Sequence, residues 1–451
     1  MKFKKRSLIY AFLSLISPVI IWAVYTHPPL MYKALGYNGL IAKPLWGAKA
    51  STLVFADTQK YPALTLGKRL AELGVTVFIV DSPRFLSDYN AASGQCLDST
   101  HLNNAINTLL EPHAELIQPQ HIISGISQGA LLPFIHALNS KTDNTHVSID
   151  FSVNLPEDLV LCPPLATQQQ DKDLILKYQG SLNSNWLSVW ADQPEDKTGV
   201  FVRALAKADT RIAAYDTPLD TLLVQQINIL VNHTEEAATN MPVVEVPAAT
   251  ASDSVTIFYS GDGGWRDLDR TVAGEMAKQN YPVVGVDVLR YFWKQKPAEQ
   301  VAADLSSTMH YYRQHWGSKK FILAGYSFGA DIMPAVYNHL SAEDKDSVSL
   351  LVLLALAQTA DFEIHVSGWL GQSGQGQPLA PELARIPKQK LLCVYGAEEK
   401  AETACTQLQN SEAHILELPG GHHFDEDYAK LTRLILDVYR QKGITTSIAA
   451  K

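Results

Sequence analysis

Two stretches 200 positions apart carry the same strand–turn–helix signature, centred on Ser127 and Ser327. Ser124-Gly-Ile-Ser-Gln-Gly129 matches Ala324-Gly-Tyr-Ser-Phe-Gly329, and the second copy lies between the apolar run Lys320–Ala324 and the helix-like stretch Ala330–Leu340. Other segments pair at nearly the same offset. Ser51–Phe55 matches Val255–Tyr259, Gly74–Asp81 matches Tyr281–Asp287, and Trp186–Ala191 matches Leu391–Gly396. Strand and helix periods alternate in each half; Val301, Leu305, Met309 and Tyr312 follow helical spacing before the strand at Phe321. Such alternation requires parallel βαβ units, hence a doubly wound α/β domain in each half. With 451 residues, 46% of them hydrophobic, the chain is long enough to bury two cores.

A G-x-S-x-G between a strand and a helix is the nucleophile elbow of α/β-hydrolases, in which small residues permit a strained turn that lifts the serine oxygen above the sheet. The expected fold is therefore two tandem α/β-hydrolase-like doubly wound domains behind an N-terminal hydrophobic anchor or signal segment. The boundaries read from the sequence are 1–27 for that segment, 28–233 for a first, degenerate copy, 234–254 for an Ala-, Thr- and Pro-containing linker, and 255–451 for the catalytic copy.

Lys2, Lys4, Lys5 and Arg6 precede the apolar stretch 8–25, a charge order that holds the start in the cytoplasm and sends the remainder across a membrane. No clean small-x-small cleavage site follows, which favours an anchor over a cleaved signal. The expected location is the periplasm. Four cysteines, two per half, suit an oxidising compartment, and Cys96–Cys162 with Cys393–Cys405 is the economical pairing. A net charge of −9 with no internal basic run excludes nucleic acid as an expected partner. No metal-ligand spacing or phosphate-binding loop is present, so no cofactor or metal is expected.

The copies differ where chemistry would need them to agree. After its first strand the second copy has Ser260-Gly-Asp-Gly-Gly-Trp265, and it ends in Pro419-Gly-Gly-His-His-Phe424; the first copy has Ala56-Asp-Thr-Gln-Lys60 and Tyr215-Asp-Thr-Pro-Leu219. Serine-based acyl transfer needs a base, an acid that orients it, and oxyanion donors, in the chain order serine, acid, histidine for this fold. Ser327 is the expected nucleophile. His422 is favoured as base, with His423 the alternative. Glu399 is the expected acid, with Glu398 and Asp361 as alternatives. The Phe328 amide and the amides of Gly263 or Gly264 are the expected oxyanion donors. Carboxylates crowd the same region, Asp262 and Asp331 among them, and would favour a cationic substrate.

Together the stretches Ser260–Asp269, Asp287–Trp293, Gly325–Asp331, Asp361–Val366 and Gly420–Phe424 resemble the VirJ/AcvB family of bacterial virulence proteins, strongly over the second half and more loosely over the first. The resemblance implies an exported hydrolase that removes lysine from lysyl-phosphatidylglycerol, with an aminoacylated phospholipid as substrate and the membrane surface as its working place. A general periplasmic carboxylesterase and a non-catalytic, secretion-associated binding protein are the alternatives.

Overall fold

A computed structural model describes residues 30–45, 47–140, 145–170, 173–233, 241–364 and 376–449. The apolar stretch 8–25 lies outside the described residues. Among the described residues no helix is long and apolar enough to cross a membrane. The chain divides into two compact units. The first runs to Arg211 and resumes at Thr217; the second takes Ile212–Asp216 and the described residues from Met241 onward.

The first unit is built on an eight-stranded sheet. Its strands are β1 (Leu30–Leu35), β2 (Gly39–Pro44), β3 (Ala50–Ala56), β4 (Val75–Asp81), β5 (His121–Ile126), β6 (Thr145–Ile149), β10 (Trp186–Trp190) and β11 (Ala208–Ile212). Between β6 and β10, the short strands β7 (Asn154–Leu155), β8 (Ala166–Gln170) and β9 (Asp173–Lys177) make a separate antiparallel sheet. The main order is β1-β2-β4-β3-β5-β6-β10-β11, with β4, β3, β5, β6 and β10 parallel.

The second unit repeats this arrangement with β12 (Val243–Val246), β13 (Ser254–Tyr259), β14 (Val283–Val286), β15 (Lys320–Tyr326), β16 (Val348–Leu354), β19 (Leu391–Gly396) and β20 (His414–Leu418), in the order β12-β14-β13-β15-β16-β19-β20. A two-residue pair, β17 (Thr359–Ala360) with β18 (Gln377–Pro378), stands apart. In both units the first parallel strand sits between the second and third, and the serine follows the third. This is the α/β-hydrolase order. β13 is buried throughout, and β15 is buried beyond Lys320, as strands covered on both faces must be.

One boundary needs correction. The stretch 234–254, read as linker, contains β12, which pairs antiparallel with β14 from Val243↔Val286 to Val246↔Val283. Val-Val-Glu-Val is a short strand pattern hidden between Pro242 and Pro247, and an edge position tolerates such flanks. Both expected disulfides are formed, Cys96–Cys162 and Cys393–Cys405.

Candidate active site

Ser327 follows the last residue of β15 with φ 53° and ψ −121°, a conformation a side-chain-bearing residue adopts only where its surroundings over-determine it. Here they do. A Cβ on Gly325 would lie 2.2 Å from the Gly329 carbonyl oxygen, and one on Gly329 would lie 2.4 Å from that of Tyr259. The two glycines therefore let the helix Phe328–His339 sit directly on β13 and β15. The Ser327 N–H donates to Leu354 O at 2.9 Å, tying the elbow to the end of β16.

The Ser327 hydroxyl lies 2.9 Å from His422 Nε2, and His422 Nδ1 lies 2.7 Å from Glu399 Oε1. A carboxylate can only accept, so Nδ1 carries the proton and Nε2 presents a lone pair to the serine. Glu399 ends the short turn after β19. The Cys393–Cys405 bridge clamps the far side of its loop back to β19, and just before Cys405 the Thr403 hydroxyl donates to Leu356 O at 2.8 Å. His422 follows β20 on a loop that turns at Gly420 (φ 82°) and passes through Phe424, Asp425 and Glu426, all at positive φ. That loop lies against the acid's turn because Gly396 has no side chain: a Cβ there would meet Gly421 O at 2.2 Å.

Tyr326, at the variable position of the G-x-S-x-G motif and so without a sequence signal of its own, links these parts. Its buried phenol donates to the His422 carbonyl at 3.3 Å and lies 3.2 Å from His423 Nδ1. A Cβ on Gly261 would stand 3.3 Å from its ring, so the tyrosine also supports the glycine-rich loop. His423 thus meets Tyr326, while His422 meets the serine. Of the alternative acids, Glu398 packs toward Gly421, a Cβ on which would lie 3.0 Å from Glu398 Oε2, and Asp361 accepts from the Phe362 N–H at 2.9 Å. Glu399 is the carboxylate that bonds His422.

Trp265 anchors the glycine-rich loop by lying over Gly285 of β14, where a Cβ would fall 2.2 Å from the indole. The amides of Phe328 and Gly329 open their helix and have no acceptor within it. Gly264 departs from expectation. At φ 84° its N–H is spent on Gly261 O at 3.1 Å, so it shapes the turn. Gly263, like Asp262, has no backbone acceptor for its amide among the described residues.

Asp262 and Glu399 both lie within electrostatic reach of Asp331. Burial pushes the Asp331 carboxyl up to about 8, and the charges of Asp262 and Glu399 add to the effect. A hydrogen bond from the Ala357 N–H at 2.7 Å opposes it and fixes the carboxyl against the end of β16.

In the first unit Ser127 has the same φ of 53°, and a Cβ on Gly125 would lie 2.1 Å from Gly129 O. Its hydroxyl donates not to an imidazole but to Asp150 Oδ2, at 3.4 Å, and burial raises that carboxyl.

Residues 253–443 match the bacterial virulence protein (VirJ) family. No curated protein matches the chain. Similar solved structures include a putative dienelactone hydrolase from Klebsiella pneumoniae, 17% identical over 45% of this chain and 93% of that one, TM-score 0.33. MenH from S. aureus is 14% identical over 46% of this chain and 100% of its own, TM-score 0.32. A lidless α/β serine hydrolase from Xanthomonas campestris is 15% identical over 44% and 88%, TM-score 0.32.

Proposed function

We propose that this α/β-hydrolase, whose residues 253–443 match the VirJ family, cleaves the aminoacyl ester of a membrane lipid, lysyl-phosphatidylglycerol, in the periplasm. The observation that carries the chemistry is the unbroken Ser327–His422–Glu399 relay, with hydrogen bonds of 2.9 and 2.7 Å. Ser327 attacks the ester carbonyl as His422 takes its proton. The amides of Phe328 and Gly263 receive the oxyanion, and Glu399 stabilises the imidazolium. The glycerol oxygen leaves with the proton from His422. Water, activated by the same histidine, then releases the amino acid and restores Ser327.

Asp262 and Asp331 are assigned to the substrate's ammonium groups. Asp331 is held largely protonated near pH 7 without a cation, and an arriving ammonium favours its ionised form. The partly exposed His422 suits an ester presented at a surface, since its side chain keeps 40% of its accessible area. The two disulfides fit an oxidising compartment.

The test is lysine release from vesicles containing lysyl-phosphatidylglycerol, with the wild-type chain beside Ser327→Ala. Release by the wild type alone supports the proposal. Turnover of uncharged short esters without lysine release would replace the lipid with a general carboxylesterase function, and silence on both would leave a binding protein.

A further inference from the structure

Charge is segregated at the start of the chain. The net charge is −9, yet the first acidic residue is Asp57, and seven basic residues precede it. Three of these, Lys33, Lys43 and Lys49, lie on or just after the hairpin of β1 and β2. In the register of that hairpin Met31 faces Lys43 and Lys33 faces Ile41. Residues opposed across an antiparallel pair share a face, so Met31, Lys33 and Lys43 stand on one side of the hairpin. Among the described residues neither Lys33 nor Lys43 is in an ion pair.

Apolar exposure concentrates at the same place. β1 is the edge of the eight-stranded sheet, and its residues Met31 to Ala34 are all exposed. Of the five large hydrophobic side chains exposed among the described residues, Met31 (46%), Tyr32 (43%) and Leu45 (44%) belong to this hairpin or directly follow it. A fourth, Leu64, is on the helix Ala63–Ala71, which lies on the hairpin's other side. There a Cβ on Gly67 would meet Ala42 Cβ at 3.0 Å, and Ala42 is the cross-strand partner of Tyr32. The fifth, Val200, is on a separate helix, Asp196–Arg203. A second copy of the chain is a poor cover for this edge, because Lys33 in the middle of β1 resists strand-to-strand pairing. Lysines beside exposed apolar and aromatic side chains instead suit a bilayer with anionic headgroups, where the ammonium meets phosphate and the ring takes the interface. Chain length agrees. Tyr25, the last residue of the apolar stretch 8–25, stands five positions before Leu30, so β1 begins at most about 18 Å from the end of that stretch.

We propose that the β1–β2 edge of the first unit docks on the surface of an anionic phospholipid bilayer, with Lys33 and Lys43 pairing with lipid phosphates and Met31, Tyr32 and Leu45 entering the headgroup layer. The outward N–H and C=O groups of β1 stay hydrated in that layer, as an unpaired edge requires. The inference rests on the membrane location in the reading above and not on its ester chemistry.

All four cysteines are in disulfides, so an introduced cysteine is the lone thiol. The experiment attaches the dye NBD to the full chain at Tyr32→Cys or Leu45→Cys, with Val200→Cys as the control, and adds vesicles of phosphatidylglycerol and phosphatidylethanolamine. Emission from positions 32 and 45 should rise, shift to the blue and be quenched by a headgroup-nitroxide lipid, while position 200 stays open to aqueous iodide. A lysine near an anionic surface contributes a factor of about 5, so Lys33→Gln combined with Lys43→Gln should lower the docked-to-free ratio by about 25-fold. Raised salt should act in the same direction. Ser327→Ala should dock as the wild type does, which separates this result from the fate of the lipid-ester reading. Thermal midpoints show whether each variant is folded, and either labelled position suffices. The proposal is overturned by an unshifted probe at both positions, by an equal response at position 200, or by docking that survives in the folded lysine variant. Concentration-dependent protection of position 32 without vesicles would also overturn it, in favour of a second copy on this edge.

Discussion

The two elbows share the serine's positive φ and the tightly packed flanking glycines, and they differ in chemistry. Both serines sit at φ 53°, and both pairs of flanking glycines are required by carbonyl oxygens within 2.1–2.4 Å of where a Cβ would be. Around Ser327 the turn feeds a relay through His422 to Glu399; around Ser127 it feeds a half-buried carboxylate, Asp150. A carboxylate at 3.4 Å is intrinsically a weaker base than an imidazole, and among the described residues no histidine bonds the Ser127 hydroxyl. A strained elbow is therefore a property of the fold, while activity requires the loops after β13, β19 and β20. Those loops are where the copies diverge in sequence.

The comparison can be broken most forcefully at the serines. Ser327→Ala should lower ester hydrolysis by about 10³-fold or more, while Ser127→Ala should leave it within about 2-fold. Comparable losses from both would make the first copy a second active site. Next in size is the acid. Glu399→Gln should cost about 10²-fold in kcat, since the amide can pair with the wrong imidazole tautomer, whereas Glu398→Gln should cost almost nothing; the two are compared by initial rates on one ester. Tyr326→Phe sharpens the contrast further. The first elbow has Ile126 at that position, so the phenol belongs to the active copy alone. Its loss should lower kcat by about 5–10-fold with KM unchanged, because the ring still packs and only the tether to the histidine loop is removed.

The smallest effect concerns Asp331. Its carboxyl is raised in the fold, so its contribution to stability is complete below the ordinary carboxylate range and is lost as pH rises toward and through about 8. Asp331→Asn can still accept from Ala357 and cannot ionise. Thermal midpoints measured from pH 6 to 9 should show the wild type losing more stability than the variant as pH rises. Parallel curves would contradict the burial argument.

Much of this was legible in the chain itself. The strand alternation dictated the doubly wound order, and the elbow needed only its two glycines to be recognised. Ser327, Glu399 and His422 stand after successive strands in the order the fold requires, and these three side chains meet in the structure. The remainder depends on contacts that spacing does not encode. Tyr326 is the variable position of the motif, and its bond to the His422 carbonyl spans 96 positions. The spending of the Gly264 amide on Gly261 is a matter of turn geometry, which a run of glycines leaves open. The Val243–Val246 strand was masked by its prolines because its pairing partner, β14, comes later in the chain. His422 and His423 are adjacent and chemically alike, so only the turn around Gly420 separates the one facing Ser327 from the one facing Tyr326.

The most direct test is covalent labelling of the intact chain with a fluorophosphonate, which reacts with serines activated by a neighbouring base, followed by peptide mass spectrometry. The account predicts a single modified serine, Ser327, whose labelling is lost in His422→Ala while Ser127 stays unmodified in both. Label on Ser127, or none on Ser327 in the folded wild type, would contradict it.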